Sequence, residues 1–171
     1  MQRHAALAPT ALRPGAGHLE MALAAGLEVF GAARLAVGEL SLLEALVLPA
    51  EAGVALQVET EVESSGRVRL QIASRHSGKG KTTFRVHSRA VLQRADGEPS
   101  RARLDLHTLR GRMSATESAA TFYASLAAMG LELGPSFQGL RELWQGEGEA
   151  LGRVLLPEAA GAAAGYQFHP A

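Results

Sequence analysis

The 171-residue sequence has no cysteine. That excludes a disulfide scaffold and any thiolate metal site. Lysine and asparagine are scarce, while alanine, glycine, leucine and arginine are heavily used. No run approaches the roughly 20 apolar residues that a membrane span needs. The first residues lack the apolar core of a secretory signal, so a cytoplasmic location is expected. What is present is enough for a folded core: 47% of the residues are apolar, which places the chain among globular proteins rather than disordered ones.

The net charge is zero, but the charge is segregated. Residues 1–66 carry eight acidic and three basic side chains, residues 67–112 three acidic and twelve basic, and residues 113–171 six acidic and two basic. A basic middle third suits an acidic partner. The plainer reading, preferred here, is that strands with one solvent face carry arginine on it.

Pro14 and Gly15 open a helical stretch, since proline loses nothing in a first helical turn. Leu19, Met21, Leu23, Leu27 and Phe30 lie all round it, with His18, Glu20 and Glu28 as the polar breaks. Such a helix is expected to be buried nearly all round. Strands follow. Leu40–Leu48 is apolar. Val54–Val62 alternates, Ser64-Ser65-Gly66 has turn chemistry, and Val68, Leu70 and Ile72 alternate in turn, which makes a hairpin. Thr82–Leu92 reads as another strand, with Phe84, Val86, Ser88, Ala90 and Leu92 on one face and His87 on the other. Residues 94–103 read as a loop. Ser114-Ala-Thr-Glu117 has the capping-box spacing, predicting a helix to Met129 with Gly130 as its C-terminal cap. Strand-like runs near Phe137–Trp144 and Glu149–Leu156 follow, and Pro157 ends the second.

Three segments carry a family resemblance: Pro14-Gly-Ala-Gly-His-Leu-Glu-Met-Ala-Leu-Ala-Ala-Gly26, Gly130-Leu-Glu-Leu-Gly-Pro-Ser-Phe-Gln-Gly-Leu140 and Tyr166-Gln-Phe-His-Pro-Ala171. In this order and at these separations the chain resembles the dehydratase domain of modular type I polyketide synthases, over nearly its whole length. The resemblance implies an α+β hotdog fold, an antiparallel sheet wrapped round a central helix, in a double-hotdog arrangement. Residues 1–112 would form the N-terminal hotdog. Residues 113–171 would begin a C-terminal hotdog that is incomplete, because the family pattern continues past His-Pro-Ala into Leu-Leu-Asp and its second catalytic residue.

The implied function is elimination of water from a β-hydroxyacyl thioester on acyl carrier protein, giving an enoyl thioester. The family's catalytic histidine lies in His-x-x-x-Gly-x-x-x-x-Pro. His4 corresponds to it, with Ala8 at the glycine position and one residue more before Pro14. The implied substrate-channel residues are Pro14, Gly15, Leu133, Gly134, Pro135 and Phe137, with Leu133 where the family's Gly-Tyr-Gly-Pro-x-Phe has tyrosine. No cofactor is implied beyond the carrier's phosphopantetheine arm, and no metal. The implied partners are acyl carrier protein and neighbouring synthase domains, with a homodimer compatible; neither nucleic acid nor membrane is implied. By the same resemblance this chain alone would be inactive.

The other candidates have plainer readings. His18 lies inside the helix and reads as structural, His87 as a strand-packing residue, and His169 as part of the turn leading to the next helix. His76 and His107 carry no signal, and no two histidines have metal spacing. Gly78-Lys-Gly-Lys-Thr-Thr83 suggests a phosphate loop, but Arg75 stands at the first glycine position and the segment joins two strands, so it reads as a hairpin loop. Asp96 and Asp105 have no family context. The alternative to an enzyme is a non-catalytic hotdog module, structural or carrier-binding, within a synthase.

Overall fold

A computed structural model describes residues 11–31, 34–49, 53–78, 81–95 and 103–171. They fall into two units, Met1–Gly97 with Gly165–Pro170, and Glu98–Ala164 with Ala171.

The first unit is organised by a long hairpin. Strands β4 (Leu56–Val62), β5 (Val68–Gly78) and β6 (Lys81–Arg94) run antiparallel in sequence order, and β2 (Leu35–Leu42) joins the free side of β6, giving the order β2-β6-β5-β4. The β4–β5 turn is the expected Ser-Ser-Gly: Glu63 N–H donates to the Arg67 carbonyl at 2.8 Å, and Gly66 takes φ 79°, a conformation that favours glycine. Two-residue strands β1 (Ala11–Leu12) and β3 (Val47–Leu48) pair separately. The expected strand at Leu40–Leu48 is thus two strands, split where Leu43 and Glu44 donate N–H to the His87 carbonyl.

Helix α1 (Gly15–Phe30) lies on this sheet. Gly17, His18, Ala22 and Gly26 form its buried face. Small residues there allow close approach: a Cβ on Gly26 would stand 2.7 Å from Leu35 Cδ1 and 3.0 Å from Leu92 Cδ1. Ala22, Val68, Leu70, Ile72, Ala90 and Leu92 form the core, with Met21, Ala25, Phe30, Val37 and Leu40 packed against it. The Arg94 guanidinium donates to the Phe30 carbonyl at 3.0 Å, a cation at the helix's negative end. The helix is not buried all round. Ala24, Glu28 and Val29 are exposed and Leu23 and Leu27 half-buried, along a cleft of about 710 Å³. The sheet covers the glycine-alanine face, and the leucine side lies on the cleft.

One bulge decides which residues of β6 point inward. Ile72 pairs with Ser88 but Ala73 pairs with Val86, leaving His87 as the extra residue. The alternation slips there, so His87 and Ser88 are both buried, and Phe84, expected on the core face, is 51% exposed. The segregated charge of the sequence also becomes complementary in space. Arg67, Arg69 and Arg85 pair with Glu39, Glu61, Glu63 and Glu44 at 3.1–3.8 Å on the exposed surface, each pair contributing about 0–1 kcal/mol.

The second unit holds α2 (Leu106–Gly111), β7 (Ala115–Ser118), α3 (Ala119–Ala128), β8 (Leu140–Gln145) and β9 (Ala150–Val154), with the sheet order β7-β8-β9. The helix expected from Ser114 begins at Ala119. Residues 115–118 pair with β8, so their N–H groups are satisfied in a ladder, and Ser118 is the cap, accepting from Thr121 N–H at 3.1 Å. Trp144 stacks under the Arg110 guanidinium at 4.2 Å. Among the described residues of this unit only Gly139 and Pro157 are buried, while Leu104, Met129 and Val154 are each at least 68% exposed. A unit without an apolar core leaves surface that favours association. The purified chain should therefore self-associate, its light-scattering mass rising with concentration. A concentration-independent monomer with slow amide exchange throughout 113–171 would refute this.

Candidate active site

His4 lies outside the described residues, as does Asp96. The structure therefore describes the approach to α1 rather than the proposed base. Arg13 N–H donates to the Leu46 carbonyl at 2.9 Å, and the β1–β3 pairing holds the preceding residues. Pro14 is the N-cap in extended conformation, and its carbonyl accepts from Gly17 N–H at 2.9 Å. A Cβ at Gly15 would stand 3.1 Å from Leu42 Cδ1, so glycine keeps this corner open. Arg13 and His18 line a small cavity of about 170 Å³ here with the backbone stretch 42–46.

Behind the cavity lies a polar cluster. His18 is 2% exposed, Ser74 1%, His87 3% and Ser88 0%. His18 Nδ1 lies 2.9 Å from Ser88 Oγ. His87 Nδ1 lies 3.2 Å from the Glu44 carbonyl, which only accepts, so Nδ1 donates. In the neutral ring Nε2 then accepts from the Ser74 hydroxyl at 2.8 Å, and Ser74 Oγ accepts in turn from His76 Nε2 at 2.8 Å. Burial, then the neighbouring His87 and Arg13, hold the His18 pKa below its ordinary value. A ring kept neutral by its surroundings suits a hydrogen-bonded strut, as the sequence reading of His18 held. The bulge at His87 is what brings both β6 groups inward, and period-two reasoning had no means of finding it.

Leu133, Gly134, Pro135 and Phe137 lie together in the second unit. Gly134 precedes a single 3-10 turn, Pro135–Phe137, and its carbonyl accepts from Phe137 N–H at 2.8 Å. The Leu133 carbonyl accepts from the Gln138 side chain at 2.8 Å, and the Ser136 hydroxyl donates to the Ala159 carbonyl at 2.8 Å. Leu140 N–H donates to Tyr123 Oη at 2.8 Å, fixing the chain as it leaves the turn. Asp105 is occupied as a cap: it accepts from Thr108 Oγ1 and from the N–H groups of His107 and Thr108. These bonds, that from the Thr108 hydroxyl first, hold its carboxyl below the usual range, so it is a poor proton donor. Gly78 pairs with Lys81 across the β5–β6 hairpin, strand to strand, with no helix for a phosphate loop.

Two family models match this chain: "polyketide synthase dehydratase domain" over residues 3–75 and "polyketide synthase dehydratase N-terminal domain" over 101–171. The chain belongs to the polyketide synthase dehydratase family. It is 35% identical to a mycoketide-CoA synthase of Mycobacterium tuberculosis over 97% of its own length and 4% of that protein's. The dehydratase domain from the CurF module of curacin polyketide synthase superposes with a TM-score of 0.85 at 28% identity, over 94% of this chain and 58% of that one. Two inactive mutants of the CurK dehydratase, one His to Phe and one Asp to Asn, superpose at 0.80 and 0.82 with 28% identity, over 94% and 93% of this chain and 56% of theirs. The fold is accordingly the family's hotdog, a sheet with a helix laid against it, and the chain spans little more than half the length of these solved dehydratases and a few percent of the synthase. The relatives are multidomain synthases, so the family's setting is among neighbouring synthase domains. No described helix is long and apolar enough to cross a membrane.

Proposed function

We propose that the chain is part of a synthase dehydratase that removes water from a β-hydroxyacyl thioester carried on acyl carrier protein. The match of both family models, over residues 3–75 and 101–171, carries this reading. The α-proton beside a thioester is weakly acidic, and hydroxide is a poor leaving group. The reaction therefore needs a base held at one carbon and an acid at the next oxygen. His4 is the proposed base. Neutral imidazole near pH 7 suits that role, and the inactive His mutant of the CurK enzyme supports it. Pro14, Gly15 and the Leu133–Phe137 turn are the proposed channel walls. The inactive Asp mutant of CurK points to a carboxylate as the acid. Asp105 is unsuited to supply it, being held as a helix cap.

Mass spectrometry of a β-hydroxyacyl carrier protein decides the matter. The 171-residue chain alone should yield no enoyl product, while a polypeptide of full dehydratase length containing it should turn over and lose that turnover on His4→Ala. Turnover by the chain alone, or an unaffected His4→Ala variant, would overturn these assignments. The extra residue between His4 and Pro14 and the leucine at 133 favour a second reading, a carrier-binding module without chemistry. That reading predicts salt-sensitive carrier binding with no enoyl product at either length.

A further inference from the structure

Glu20 lies on α1 one turn past the Pro14–Gly15 corner, and its carboxylate is committed to a distant piece of chain. Oε1 accepts from Gln167 N–H at 3.1 Å and Oε2 from Phe168 N–H at 2.6 Å. Two consecutive backbone N–H groups thus meet the two oxygens of one carboxylate, a charge-assisted and directional grip. The segment it holds has no strand or helix of its own. Gly165, at φ 94°, turns the chain into it, and the Tyr166 and His169 rings close it edge to face at 4.8 Å. Although 98–164 belong to the second unit, Gly165–Pro170 pack with the first. The carboxylate therefore latches a returning hook of chain onto the helix that follows the proposed base.

We propose that Glu20 is a positioning residue of the dehydratase, fixing where Gln167–Pro170 lies along α1. This rests on the dehydratase reading above, in which the residues leading into α1 and those beyond the His-Pro-Ala segment supply the two reacting groups. Their separation is then set at the latch. Glutamine at this position keeps the length and shape of the side chain but has one acceptor oxygen. Its NH₂ group would face a backbone N–H, so one of the two bonds becomes a repulsion.

Hydrogen-exchange mass spectrometry on this chain reads the latch without any catalysis. In Glu20→Gln the peptide covering 165–170 should exchange roughly tenfold faster or more, as loss of a hydrogen bond to a charged group requires, while peptides of β5 and β6 stay unchanged. Equal exchange in the two proteins would refute the latch, and so would a uniform rise across the core strands, which marks general destabilisation. In a dehydratase-length polypeptide the same variant should lose kcat by roughly tenfold or more with KM changed by less than about threefold, the pattern of misplaced reacting groups. Faster exchange with unchanged kcat would overturn the positioning role. A wild type that performs no dehydration would overturn the functional reading and this role with it, and the exchange result would still decide the latch.

Discussion

Leu92→Ala should destabilise the first unit by about 2–5 kcal/mol, the range for truncating a fully buried leucine. Leu92 is 0% exposed and sits in the core cluster with Val68, Ile72 and Ala22. A Cβ on Gly26 would also stand 3.0 Å from its Cδ1, so it packs where α1 comes close to the sheet. Strand and helix cannot close over the lost volume without moving the Gly26 crossing, which argues for the upper part of the range. A domain has only about 5–15 kcal/mol in total, so the variant should be near unfolding at 37 °C. Urea denaturation at low protein concentration, followed by far-UV circular dichroism, measures it. A loss under about 1 kcal/mol would mean that the site relaxes freely and that the helix–sheet contact is looser than described.

Acid should weaken the same unit through His18. Its pKa in the fold lies below its value when exposed, about 6.5. Above that value both states hold a neutral ring and the term is silent. As pH falls below it the unfolded chain takes up a proton that the folded one resists, so stability present above about 6.5 is progressively lost. Burial of the ring is the chief cause of the resistance, and the neighbouring His87 and then the Arg13 guanidinium add to it. Urea midpoints at several pH values between 5 and 7.5 should fall towards acid in the wild type. In His18→Gln the fall should be shallower. Parallel curves for the two proteins would remove His18 as the cause.

The β4–β5–β6 strands were legible because β4, the first half of β5 and the second half of β6 keep strict alternation, and Ser64-Ser65-Gly66 leaves the turn little choice; β2 was not, since it begins at Leu35 rather than Leu40. Helix α1 was legible from Pro14–Gly15 and the apolar run behind it. The extent of its burial was not, because composition does not say which face of an apolar helix its neighbours cover. The Phe84 face was misassigned because one inserted residue, His87, inverts the alternation, and no propensity marks an insertion. Ser114–Glu117 has a helix-start spacing that pairing with β8 overrides. Helix α2 is capped by Asp105, whose role is visible only once Thr108 and His107 are placed against it. The channel residues were legible only through family resemblance, and Glu20 was missed because its partners lie 147 and 148 positions away.

The bulge at His87 also divides the long hairpin into a packed stretch and a solvent-facing one. On one side Val68, Leu70, Ile72, Ala90 and Leu92 are locked to the helix, and any change there is felt by the whole unit. On the other, Arg75, His76 and Ser77 and residues 81–85 all face solvent. That outer stretch is a handle: it can be lengthened, shortened, labelled or joined to another domain while the packed end holds its shape.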